Sequence, residues 1–218
     1  MTTKNKEIKG LIFDLDGVIV STEHNHFLAW KKTADQLGVK FSEHENEKLK
    51  GLSRADSLKA ILAIDNLMIS EKEFGTLMLD KNEFYLESIK LLNESNILAG
   101  VKKLLISAKE QGIKMAVGSS SKNAPFIVKL LGLDNYFELI VDGNMVTNPK
   151  PHPEVFLNAA KGMNLKPSDC IVFEDAESGI KAALAGGFHA IAVGNKNIAE
   201  MAHEYLNDLT EFKLNLYA

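Results

Sequence analysis

Two aspartates one residue apart, Asp14 and Asp16, interrupt an apolar run in LIFDLDGVIVST, from Leu11 to Thr22. A strand buried on both faces reads as continuous apolar sequence, and Leu11, Ile12 and Phe13 fit such a parallel strand. Gly17 permits a sharp turn, so the strand ends at the first aspartate. Asp14 therefore belongs at the carboxyl end of a strand, where open α/β sheets bind ligands. Taken alone, D-x-D-G also fits a solvated turn or a fragment of a calcium loop. Three further stations weigh against that: SSSKN at 119 to 123, Lys150 in NPKPHP, and FEDA at 173 to 176, each following or abutting an apolar segment. All are expected on one rim of one sheet.

After Thr22 the period becomes helical, with Phe27, Trp30, Ala34 and Leu37 at three- and four-residue spacing and Gly38 as a stop. Ser42 with Glu45, Ser53 with Asp56, and Ser70 with Glu73 have capping-box spacing and open three more helices. The last carries Phe74, Leu77, Met78, Phe84, Tyr85 and Ile89 on a broad apolar face. This stretch reads as a small bundle inserted after the first strand. From Gly100 helix and strand alternate, the pattern of a parallel sheet. Helices are expected over Val101 to Gly112, about Asn123 to Leu131 with Pro125 in the first turn, Glu154 to Gly162, Glu177 to Ala185 and Ile198 to Leu206. Strands are expected over Ile113 to Gly118, near Phe137 to Val141, Ile171 to Phe173 and Ala190 to Val193. The predicted fold class is thus α/β, a Rossmann-like parallel-sheet core (1–20 and 94–218) with an inserted helical bundle (21–93).

With 218 residues, 45% of them hydrophobic and 25% charged, the chain is long enough for one substantial core and a modest insertion. A formal net charge of -4, without any block of lysine or arginine, gives no footprint for nucleic acid or an anionic membrane. The single cysteine, Cys170, opens the apolar run CIVF and reads as a buried small hydrophobe. MTTKNKEIKG at the start is not followed by an uninterrupted apolar segment, so neither a leader nor a membrane span is expected. A monomeric cytoplasmic enzyme acting on small molecules is the resulting expectation.

Together FDLDG, a strand-end serine, a Lys-Pro and an acidic pair after an apolar strand resemble the haloacid dehalogenase superfamily of phosphoryl-transfer enzymes, over essentially the whole chain. STEHNHFLAW, LKGLSRADS and SSSKNAPF look like its β-phosphoglucomutase branch. The resemblance implies a helical cap over the site, with Asp14 as nucleophile forming an aspartyl-phosphate and Asp16 as general acid and base. Thr22 and His26, one helical turn apart, would orient Asp16. Lys150 would offset charge, while Ser119 and the Ser120 amide would donate to the transferring phosphoryl.

Oxygen ligands suit a hard cation, so Mg2+ is expected on Asp14, the Asp16 carbonyl, Glu174 and Asp175. On residue type alone, Glu174 and Asp175 also fit an acidic pair at a helix N-terminus. A second, non-reacting phosphate would fall to Arg54 with Ser121, Lys122 and Asn123, and Lys81 is a weaker candidate for substrate contact, since a helix lysine is by default solvated. The implied activity is interconversion of β-glucose 1-phosphate and glucose 6-phosphate through glucose 1,6-bisphosphate. A magnesium-dependent sugar-phosphate phosphatase and, in another class, a phospho-acceptor receiver domain are the alternatives. Two departures stand out: Ser21 where the family's mutases commonly carry aspartate, which bears on the hinge, and Ser120 where a smaller residue is usual.

Overall fold

The computed structural model describes residues 8–217; the opening stretch MTTKNKE, expected to be no leader, lies outside the described residues. Strand β1 (Gly10–Phe13) is followed by four helices, α1 (Glu23–Gln36), α2 (Glu43–Glu47), α3 (Arg54–Ile64) and α4 (Glu71–Ile89). Then come α5 (Val101–Glu110), β2 (Lys114–Gly118), α6 (Ala124–Leu130), β3 (Leu139–Val141), α7 (Glu154–Gly162), β4 (Cys170–Glu174), α8 (Glu177–Ala185), β5 (His189–Val193) and β6 (Glu204–Leu206). The strands form one parallel sheet in the order β3-β2-β1-β4-β5-β6. β1 is central, with β2 on one side and β4 on the other, and Phe13 is in register with both Val117 and Phe173.

Both faces of the sheet are covered, which is why its strands carry apolar residues at consecutive positions. Leu11, Phe13, Met115, Val117, Ile171 and Phe173 join one buried cluster with α5 and α6. Ile12, Ala116, Val172 and Ala190 turn the other way, into a cluster with α7 and α8. The four inserted helices bury their own cluster, including Trp30, Phe41, Leu58, Ile61 and Leu77. Ser53 and Ser70 cap α3 and α4 by accepting from the amides of Asp56 and Glu73, as the spacing predicts. The chain leaves and re-enters the sheet side by side: the Leu98 amide donates to the Ile19 carbonyl at 2.9 Å, and Val20 bridges Ile97.

The tail departs from expectation. In place of a helix over Ile198 to Leu206 there is a 3-10 turn (Lys196–Met201) and then β6, paired with Ile191, Ala192 and Val193. Without β6 the edge of β5 would leave a row of unpaired backbone groups, a demand that local periodicity does not register. No helix among the described residues is long and apolar enough to cross a membrane.

Phe13 and Phe173 are fully buried and stack at 5.0 Å between centroids, directly behind the strand ends. Phe13→Ala is expected to lower the unfolding free energy by about 3–5 kcal/mol, read from the urea midpoint.

Candidate active site

Three adjacent strands deliver the polar groups. Asp14 directly follows β1, Ser119 directly follows β2, and Glu174 is the last residue of β4, one position earlier than expected for a residue after the strand. Parallel register makes these ends neighbours, and Lys150 reaches them from the β3–α7 connection. Lys150 Nζ donates to Asp14 Oδ1 at 2.5 Å and to Glu174 Oε2 at 2.8 Å, all three side chains being buried. The Ala176 amide donates to Glu174 Oε1 at 3.1 Å. Gly17 has φ +84°, and a Cβ there would run into the Asp175 carboxylate. Glycine at this position thus serves both the turn and the close approach of the second acidic residue.

Oxygens of Asp14, Glu174 and Asp175 all lie within 4.8 Å of one another. Burial, then the charge of Asp14, pushes the Glu174 pKa up to about 7. Asp175 is pushed well above the carboxylate range by burial and by Glu174 and Asp14. Burial works against the charge on Lys150, yet Asp14 and Glu174 outweigh it and raise its pKa. One ammonium cannot compensate three crowded carboxylates, so the acidic pair holds its protons unless a further cation takes their place. An all-oxygen set of this kind fits Mg2+, a hard cation that takes a few carboxylates and fills its other positions with water and phosphate oxygens.

Asp16 follows the turn, and Thr22 Oγ1 donates to its Oδ1. Burial, with the nearby Asp14 charge, raises the Asp16 pKa to about 6. His26 behaves differently from expectation: the hydrogen bond that its Nδ1 makes is with Lys81 Nζ at 2.9 Å, not with Asp16. Burial and the charges of Lys81 and Arg54 hold its pKa well below the ordinary value. Lys81 is not a solvated helix lysine either. It is 4% exposed, its Nζ lies 4.5 Å from the Trp30 ring centroid and 4.7 Å from that of Tyr85, and burial draws its pKa down to about 7. Leu77, Lys81, Tyr85 and Ile89 form one buried ridge at four-residue spacing. A lysine inside that ridge was the available sign that it points inward.

One cavity between the sheet rim and the inserted helices is lined by Asp14, Asp16, His26, Arg54, Lys81, Ser119, Ser120, Ser121, Lys122, Asn123 and Asp175. Thr22, Lys150 and Glu174 are buried behind its wall. Ser119 Oγ accepts from the Ser121 amide at 3.1 Å, and Ser121 Oγ from the Asn123 amide at 3.2 Å, which orders the SSSKN turn. Sequence reasoning missed Asn82: its Oδ1 accepts from Arg54 Nη2 at 2.7 Å and from Asn123 Nδ2 at 2.9 Å. It also missed Lys50, which lines the cavity and pairs with Glu23 and Glu47 at 3.0 Å each. No local pattern marks Asn82, whose partners lie on other elements, and the i,i+3 spacing of Lys50 with Glu47 reads as an ordinary surface pair that gives no sign of the cavity. Cys170 is buried as expected, its thiol pKa pushed up to about 12 by burial.

Magnesium at ten times its Kd is expected to raise the melting temperature by about 3–5 °C, by mass action on the folded state. Asp175→Asn should abolish that increment, as read by calorimetry.

A family model described as haloacid dehalogenase-like hydrolase matches residues 11–193. The Bacillus subtilis protein named beta-phosphoglucomutase is 41% identical over 189 residues, 86% of this chain and 84% of that protein. An Escherichia coli fructose-1-phosphate phosphatase is 32% identical over 84% of this chain and 95% of its own length. Among solved structures, a beta-phosphoglucomutase from Clostridium difficile matches with a TM-score of 0.92 at 38% identity, covering 95% of this chain and 94% of that one. Sequence and backbone point to the same lineage, and the chain belongs to the haloacid dehalogenase-like hydrolases.

Proposed function

We propose that the protein is a β-phosphoglucomutase, converting β-D-glucose 1-phosphate to D-glucose 6-phosphate through a phosphoryl group carried on Asp14. The observation that carries this reading is the convergence of Arg54 and Asn123, from opposite walls of the cavity, on the single oxygen of Asn82. Both donors line the cavity that holds Asp14, and the shared Asn82 oxygen keeps them close enough together for a phosphate oxygen to take its place. A phosphatase needs one phosphate station; a mutase working through a bisphosphate needs two. The relatives named beta-phosphoglucomutase support the same choice.

In the first half-reaction the phosphoryl leaves Asp14 for the sugar 6-hydroxyl. The bond from phosphorus to the Asp14 oxygen breaks, the bond to the sugar oxygen forms, and Asp16 takes the hydroxyl proton. This gives β-glucose 1,6-bisphosphate, which turns end for end so that its 1-phosphate meets Asp14. Asp14 then attacks that phosphorus, and Asp16 returns its proton to the departing C1 oxygen, releasing glucose 6-phosphate. The raised pKa of Asp16 suits a group that must hold and release a proton near neutrality.

Lys150, Ser119 and the Ser120 amide would neutralise or donate to the moving phosphoryl. Magnesium on Asp14, the Asp16 carbonyl, Glu174 and Asp175 would supply further charge compensation when bound. Arg54, with Ser121, Lys122 and Asn123, would hold the phosphate that does not react, and Lys81 with His26 the sugar between the two. Residues 21–93 act as a cap over the core made of 1–20 and 94–218, keeping water from the acyl phosphate.

The test is a paired assay of glucose 6-phosphate and free phosphate from β-glucose 1-phosphate, with magnesium and trace bisphosphate. Glucose 6-phosphate should dominate, and free phosphate at a comparable rate would contradict a mutase. Arg54→Ala should lower kcat/KM for the conversion about 10- to 100-fold, the worth of a lost charge-assisted anion contact. A phosphatase acting on monophosphates would scarcely respond.

A further inference from the structure

Two polar contacts between cap and core are not accounted for by holding substrate. The Ser120 hydroxyl donates to the Gly51 carbonyl at 2.9 Å, and the Ser178 hydroxyl reaches the neighbouring Lys50 carbonyl at 3.5 Å. Gly51 has φ +73°, and a Cβ there would collide with Ser178 Oγ and meet Ala176 Cβ at 3.0 Å. The turn is therefore seated flat on the core by its backbone. From the cap side Lys50 ties the same turn to Glu23 and Glu47. The Lys50–Gly51 turn is thus tied to the cap by two ion pairs and touched from the core by two hydroxyls.

Ser120 occupies a particular place in this arrangement. Its backbone lies next to Ser119, at the rim beside Asp14, and its side chain points away to the cap. We propose that the Ser120 hydroxyl is a positioning and specificity-determining residue: it latches the cap over the phosphoryl station and thereby favours a sugar hydroxyl over water as acceptor. The inference rests on the mutase reading for its consequence, but the latch itself does not. When the phosphoryl leaves Asp14, the acceptor is whichever oxygen lies in line, and Asp16 takes its proton in either case. A cap that opens more often admits water, which ends as free phosphate.

Ser120→Ala keeps the backbone amide and removes only the hydroxyl. A neutral hydrogen bond of this kind shifts a two-state equilibrium by about fivefold. Two measurements on the full chain test the proposal. Without substrate, hydrogen exchange of the amides in 49–52 should quicken about fivefold in the variant. With β-glucose 1-phosphate, magnesium and trace bisphosphate, the ratio of free phosphate to glucose 6-phosphate should rise by a similar factor. Ser178→Ala, whose contact is longer, should move both less. Unchanged exchange overturns the proposal, and so does faster exchange with an unchanged product ratio. Wild-type protein that releases only free phosphate overturns the mutase reading instead, while the exchange comparison still decides whether the hydroxyl holds the cap.

Discussion

Mutual repulsion among buried carboxylates is the constraint to which the rest of this molecule answers. Parallel pairing of β1 with β4 brings Asp14, Glu174 and Asp175 together at one rim, the first two buried and the third half-buried on the cavity wall. Lys150 relieves part of that repulsion through two short contacts, and losing one partner of such a buried set costs several kcal/mol. The remainder is what draws a divalent cation and, beside it, a phosphate. A centre of this kind is a poor contributor to stability and a good place for chemistry. The covered sheet, with Phe13 and Phe173 stacked immediately behind the strand ends, supplies the rigidity that keeps like charges together.

The inserted helices answer the same constraint from above. Lys81 sits between Trp30 and Tyr85 with His26 against its amine, a cation held by aromatic faces rather than by a carboxylate. Arg54 adds a second positive group, and its reach through Asn82 to Asn123 joins helix α3 to the sheet side. The rim is negative and the roof positive. A bisphosphate with magnesium at one end bridges the two, so in the proposed reaction substrate and closure favour each other.

Much of this was legible in the residues, for identifiable reasons. Asp14, Ser119 and Glu174 sit at strand ends, where apolar runs stop at polar residues, and such boundaries are local. The helix caps at Ser53 and Ser70 were readable for the same reason. What escaped was pairing between distant elements: β6 on the edge of β5, Asn82 between Arg54 and Asn123, and His26 turned to Lys81 rather than to Asp16. Lys81 is intermediate, since the buried ridge containing it was visible as a period while the default for lysine argued against reading it so. Residue type misled there because an amine can be buried against aromatic rings.

Whether Asp14 carries the phosphoryl is read most directly by mixing the wild-type protein with radiolabelled β-glucose 1,6-bisphosphate and magnesium, quenching in acid within one turnover, and mapping the label by peptide mass. The label is expected on Asp14, and Asp14→Asn protein treated alike should carry none. Label on another side chain, or sugar conversion by Asp14→Asn protein at the wild-type rate, would contradict the proposed chemistry at its centre.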